Sequence, residues 1–182
     1  MFKALNILDE SDKRIRQKNV DVTFPISDKR KKLVQRMLDE LRYSQIPELS
    51  EKYNLRPGMG LAAPQLGINE NFFVVVYEYD EGKFEDYVIF NPKIISHSEE
   101  LICAASGEGC LSVNREVEGV VPRYARVTVE GYDSDGNKIK IRAREELAIA
   151  FQHEYDHLQG ILFFDKIDKD DPYQTKTNIK MI

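Results

Sequence analysis

Tryptophan is absent from this chain, and only two cysteines, Cys103 and Cys110, occur in its 182 residues. Two thiols make no disulfide framework, so a hydrophobic core must hold the fold, and reduced cysteines in a cytoplasmic protein are expected. No apolar stretch approaches the roughly 20 residues that span a bilayer, so no membrane role is expected. The opening, Met1-Phe-Lys-Ala-Leu-Asn-Ile-Leu-Asp-Glu10, is too short and too soon acidic for a signal peptide. Repeats, low-complexity tracts and Pro/Gly/Ser linkers are missing too, which leaves residues 1–182 as one domain. Nor is there an excess of base: 31 acids stand against 26 bases, intermixed along the chain, for a net charge of -5. That balance offers no footprint for a polyanion, so direct nucleic-acid specificity is not expected. The run Lys29-Arg-Lys-Lys32 reads as the solvated end of a helix.

What is present is a globular composition, 42% hydrophobic and 31% charged, which argues against wholesale disorder. Over residues 28–43, Leu33, Met37, Leu38 and Leu41 recur at spacings of three and four, which predicts a helix with one buried face. Phe72-Phe-Val-Val-Val-Tyr77 and Tyr87-Val-Ile-Phe90 predict strands joined across the turn-like Asp80-Glu-Gly-Lys83, with Pro92 interrupting the second and Ile94-Ile95 resuming it. Arg126-Val-Thr-Val-Glu-Gly-Tyr132 and Lys138-Ile-Lys-Ile-Arg142 alternate on either side of Asp133-Ser-Asp-Gly-Asn137, the clearest hairpin in the chain. Residues 144–158 then carry Leu147, Ala150, Phe151 and Leu158 on a helical period, with Gly160 as a stop. Strands and helices come in blocks, so the fold class is α+β, with mostly antiparallel sheets packed around that last helix.

The chemistry concentrates there. Two of the three histidines lie in His153-Glu-Tyr-Asp-His157. Residues four apart share a helix face, so both imidazoles can meet one metal ion, while Glu154 can reach a water without being a ligand. This is the pattern of metal-activated hydrolysis, with a carboxylate as base. A catalytic site needs a third ligand and an open position. The protease extension H-E-x-x-H-x-x-G-x-x-H fails, because Phe163 stands where its last histidine belongs, and no glutamate follows Glu154. The third ligand is therefore expected upstream, where Cys110, Cys103 and His97 compete. Cys110 is favoured: it lies in Gly107-Glu-Gly-Cys-Leu-Ser112, where Gly109 would let backbone approach the site, and thiolate suits a borderline-soft metal. Cys103 reads as a small buried hydrophobe and His97 as a surface residue. Gly58-Met-Gly-Leu-Ala-Ala-Pro-Gln-Leu-Gly67 is a further motif, rich in small residues, and Gln65 is its one side chain able to hydrogen-bond an oxyanion.

Gly58-Met-Gly-Leu-Ala-Ala-Pro-Gln65, Glu108-Gly-Cys-Leu-Ser112 and Gln152-His-Glu-Tyr-Asp-His157, in this order, resemble the peptide deformylase family, from about Ala4 to Asp168. The resemblance implies removal of the formyl group from the formyl-methionine of nascent peptides. It implies Cys110, His153 and His157 as ligands of one divalent metal, natively Fe2+, with Zn2+, Ni2+ or Co2+ able to take its place. Glu154 would be the base and then the acid, and Gln65 with the Leu111 N–H would hold the oxyanion. Gly60 and Gly109 would pair with the substrate backbone, and Met59, Ile149 and Ala150 would wall the methionine pocket. Glu108 and Arg123 would form an ion pair behind the cysteine. The partners implied are N-formyl-methionyl nascent peptides, with a transient ribosome contact, and a monomer is expected. Glu146 falls where many members are hydrophobic and is left out of the site. The C-terminus, through Asn178-Ile-Lys-Met-Ile182, resembles the subgroup whose tail ends in a short extended segment. Two other readings compete: an endopeptidase, which Phe163 opposes, and a closed structural metal site, which would not need Glu154.

Overall fold

A computed structural model describes residues 2–174 and 179–182. Two helices come first, α1 (Asp28–Gln45) and α2 (Pro47–Tyr53). The strands β1 (Gly60–Ala62), β2 (Phe72–Asp80), β3 (Lys83–His97), β4 (Leu101–Cys103), β5 (Arg123–Tyr124), β6 (Arg126–Tyr132) and β7 (Lys138–Arg144) follow. Helix α3 (Glu145–Leu158) and a last strand, β8 (Lys180–Met181), complete the chain. Five strands form one sheet in the order β1-β2-β3-β6-β7, antiparallel throughout, and β5-β4-β8 form a second. The class is α+β, as the block-wise pattern implied.

The large sheet is buried on both faces over β2, where Phe72 to Val76 are inaccessible to solvent. On one face Phe73 and Val75, with Val127, Val129 and Ala143, pack against Leu147, Ala150 and Phe151 of α3. On the other, Phe72, Val74 and Phe90 meet Val34, Met37, Leu38 and Leu41 of α1, so the helical spacing read from the sequence is the buried face. Ser27 caps α1, its hydroxyl accepting from the Arg30 N–H at 3.2 Å, and the basic run after it is exposed or partly exposed.

The hairpin falls where the alternation put it, with Tyr132 opposite Lys138 and β7 reaching Arg144. Pro92 behaves otherwise than expected. β3 continues through it, because the register slips between Phe90 and Lys93, and a bulge is where a residue with no N–H can sit in a strand. The sequence also gave no sign of α2, a seven-residue helix with Pro47 in its first turn. The tail is extended as expected: Lys180–Met181 run parallel to Ile102–Cys103. Thr175 to Asn178, part of that expectation, lie outside the described residues.

Candidate metal centre and active site

Helix α3 is buried nearly all round, and two of its polar residues, Gln152 and Asp156, are tied to partners outside the helix. Gln152 pairs with Tyr124 as if it were another strand: it accepts the Tyr124 N–H and donates to the Tyr124 carbonyl, both at 2.9 Å. Asp156 accepts from Arg123 and from Lys166, the latter at 3.0 Å. The helix stops at Gly160, whose φ of +74° and close approach to the Arg16 backbone, 2.7 Å from a would-be Cβ to the Arg16 carbonyl carbon, exclude a side chain.

This anchoring presents His153 and His157 to the segment that carries Cys110. The donor atoms of Cys110, His153 and His157 lie within 4.8 Å of one another, the one such group among the described residues. Cys110 Sγ is 3.3 Å from His157 Nε2. The two alternatives lie elsewhere: Cys103 is buried in β4, and His97 is exposed and stacked on Tyr124 at 3.7 Å. His153 Nδ1 meets Glu108 Oε2 at 2.8 Å, which turns Nε2 toward the centre. The same carboxylate is gripped by Arg123, through Nε at 2.7 Å and Nη2 at 2.9 Å. The ion pair of Glu108 and Arg123, expected behind the cysteine, thus holds His153. Burial raises the Glu108 pKa, but the Arg123 and His153 contacts outweigh it and bring it down to about 2.

Glu154 is 3% exposed, and its Oε2 has no hydrogen-bond partner among the described residues. Burial pushes its carboxyl up to about 7. His157 Nδ1 is likewise buried without a partner, and burial pushes that imidazole well down, favouring the neutral form that binds a metal. A thiolate and two imidazoles suit a divalent first-row ion, and three ligands leave a position open, so the residues fit a catalytic metal better than a closed structural one.

The remaining site residues line one cavity of about 600 Å³. Its walls include Met59, Gly60, Gln65, Gly109, Leu111, Ile149 and Ala150, beside Cys110, His153 and Glu154. Gln65 is 1% exposed: its Oε1 accepts the Ala62 N–H at 2.8 Å, which sends Nε2 toward Ser112 Oγ at 3.2 Å and Cys110 Sγ at 3.7 Å. The Leu111 N–H has no acceptor among the described residues. Gly60 belongs to β1, an edge strand paired with β2 on one side and lining the cavity with the other. A Cβ on Gly60 would lie 2.7 Å from Glu154 Cδ, so its glycine makes room for the carboxylate. Gly109 lines the same cavity, and a Cβ there would meet nothing within 4 Å, so it faces open cleft. Sequence reasoning missed Arg56, which donates to the carbonyls of Leu111 and Val113 and pins the cysteine segment. A lone surface arginine carries no sequence signal for such a role. Glu146, set aside earlier, also lines the cavity.

The polypeptide deformylase family model matches residues 4–173. The chain belongs to that family. Peptide deformylase 2 of Bacillus subtilis is 46% identical over 178 residues, covering 98% of this chain and 97% of that one. A Listeria monocytogenes peptide deformylase is 46% identical over 172 residues, 94% of each chain. Among solved structures, the Thermus thermophilus peptide deformylase matches with a TM-score of 0.75 at 31% identity, covering 93% of this chain and 89% of that one. The deformylase of Thermotoga maritima gives a TM-score of 0.71 at 32% identity, covering 90% and 97%. As a deformylase the chain is a metal-dependent hydrolase that removes the N-formyl group from newly synthesised peptides. That assignment excludes the endopeptidase reading.

Proposed function

We propose that Cys110, His153 and His157 hold one divalent metal in this deformylase and that Glu154 is the general base. The observation that carries this reading is the three converging donors with a buried, unpartnered carboxylate beside them. A divalent ion there supplies Lewis acidity, acidifying water and polarising a carbonyl. Glu154 takes the proton of the attacking water and returns it to the departing amine; its raised pKa near 7 suits both transfers. Gln65 Nε2 and the Leu111 N–H stabilise the oxyanion, where a single donor contributes about 3–4 kcal/mol. The substrate backbone adds to the free edge of β1 at Gly60 and runs past Gly109. The formyl-methionine side chain enters between Met59, Ile149 and Ala150. Glu108, with Arg123 behind it, orients His153.

Fe2+ is the native ion of this reading, and the same donors accept Zn2+, Ni2+ or Co2+. Residues 1–182 act as one catalytic domain, as a monomer, in the cytoplasm, on nascent chains at the ribosome. No described helix is long and apolar enough to cross a membrane. The test is formate release from a formyl-Met peptide by anaerobically purified protein, with the metal identified in the same sample. About one metal per chain and formate release are expected; metal-loaded protein that releases none overturns the reading.

A further inference from the structure

The charges that alternate with apolar residues in the sequence are sorted by the strands onto one face. Ile139, Ile141 and Ala143 of β7 pack toward α3, so Lys138, Lys140, Arg142 and Arg144 project from the opposite face, and all four are exposed. The register puts Arg126 opposite Arg144 and Glu130 opposite Lys140, and, on the next strand, Lys93 opposite Glu130. This is the face that α1 covers over β2 and β3 and leaves open over β6 and β7. Six cations thus share it with one facing carboxylate, Glu130, which holds Lys138 and Lys140 at 3.1 and 3.2 Å. Arg126 is held from the rim by Glu100 at 2.7 Å, while Arg142, Arg144 and Lys93 have no partner among the described residues. The patch measures about 20 by 10 Å. In a chain with a net charge of -5, the rest of the surface is correspondingly more acidic.

Protection of an edge strand explains a lysine or two on β7. It does not explain cations on β6 and β3, which are interior strands, or two arginines directly opposite each other, of which Arg126 alone has a carboxylate, Glu100. We propose that this open β6–β7 face binds the sugar-phosphate backbone of structured RNA without reading its sequence. Arginine forks suit phosphate oxygens, and the Thr128 and Ser96 hydroxyls lie between the cationic rows. A bilayer surface fits less well, because no row of apolar side chains projects from the face; Tyr132 packs on Phe24 instead. The choice of RNA rests on the reading that the substrate is a nascent chain, which leaves an RNA-rich particle. The face lies across the sheet from α3, so docking there leaves the metal centre open.

Anisotropy of a labelled RNA duplex of about 16 base pairs, titrated with metal-loaded full chain between about 50 and 200 mM salt, tests this. Binding with a steep salt slope is expected. The Arg142→Gln/Arg144→Gln pair should lower that slope by about 2 and weaken binding about 10-fold or more at the low-salt end. Lys138→Gln/Lys140→Gln, farther from α3, should act in the same direction, while the charge-matched pair Lys18→Gln/Lys169→Gln should change neither quantity by more than about twofold. Absence of RNA binding at low salt, equal losses from the matched pair, or binding to anionic vesicles in place of RNA would each overturn the proposal. Formate release separates it from the reading beneath it. A protein that binds RNA but releases no formate keeps this surface and loses its substrate; one that releases formate but ignores RNA does the reverse.

Discussion

Gly60→Ala isolates the geometry of the proposed base. The new methyl carbon would lie 2.7 Å from both Cγ and Cδ of Glu154, where ordinary contact begins at 3.4 Å, so the side chain must move by about 0.7 Å. Gly60 has no positive φ, so alanine brings no backbone strain there. Since no hydrogen bond holds Glu154 Oε2, packing alone fixes that oxygen, and yielding is cheap in stability. Overpacking of this kind should cost about 1–2 kcal/mol, leaving the chain folded. Catalysis has no such tolerance: a displacement approaching 1 Å at the reacting centre costs about 10²-fold in kcat, or about 2.7 kcal/mol. The metal should stay, because Glu154 is not a ligand. Formate release, metal content and thermal unfolding read the three effects separately. Gly109→Ala is the control for stability, since its Cβ meets nothing of the protein within 4 Å; its unfolding temperature should not move, and its methyl, which enters the cleft where substrate runs, should act on KM rather than on kcat. Gly60→Ala with metal bound and kcat within about twofold of the parent would refute the claim that β1 positions the base.

Gln65→Ala should lower kcat by about 10²–10³-fold, with KM for a formyl-Met peptide moving far less, because the lost donor acts on the oxyanion. Glu108→Gln should weaken metal affinity about 10–100-fold, measured by competition with a chelator, because His153 loses the carboxylate that orients it. It should also destabilise the fold by about 1.5–3 kcal/mol, since Arg123, 2% exposed, loses one of its two carboxylates and keeps Asp156. Acid should act through the same pair. Glu108 is depressed from an ordinary 4.5 to about 2, so its stabilisation is complete above the upper value and is lost as pH falls through the lower one. Urea midpoints of the metal-free chain should decline between about pH 5 and 2, and the Glu108→Gln variant should decline less steeply over that window.

Much of the fold was legible because its strongest signals are periodic. The spacing of Leu33, Met37, Leu38 and Leu41 is the buried stripe of α1, and the alternation from Arg126 to Arg142 is the hairpin. Pro92 misled because a proline breaks a ladder only where its N–H is needed, and the bulge at Phe90 to Lys93 removes that need. The proposed ligand set was readable because failed spacings excluded the downstream options and the setting of Cys110 favoured it over Cys103 and His97; the structure adds that the Cys110, His153 and His157 donor atoms lie within 4.8 Å of one another. Arg56 and the sorting of cations onto one face were illegible for a common reason. Each depends on what lies across a strand pair or a loop, and the sequence records only what is adjacent along the chain.

The central claim is that Glu154 does chemistry beside a metal it does not bind. The direct measurement is metal content and formate release of Glu154→Ala, purified anaerobically beside the parent. The account predicts about one metal per chain in both proteins, with turnover nearly abolished in the variant alone. Full turnover in Glu154→Ala, or loss of its metal, would contradict it.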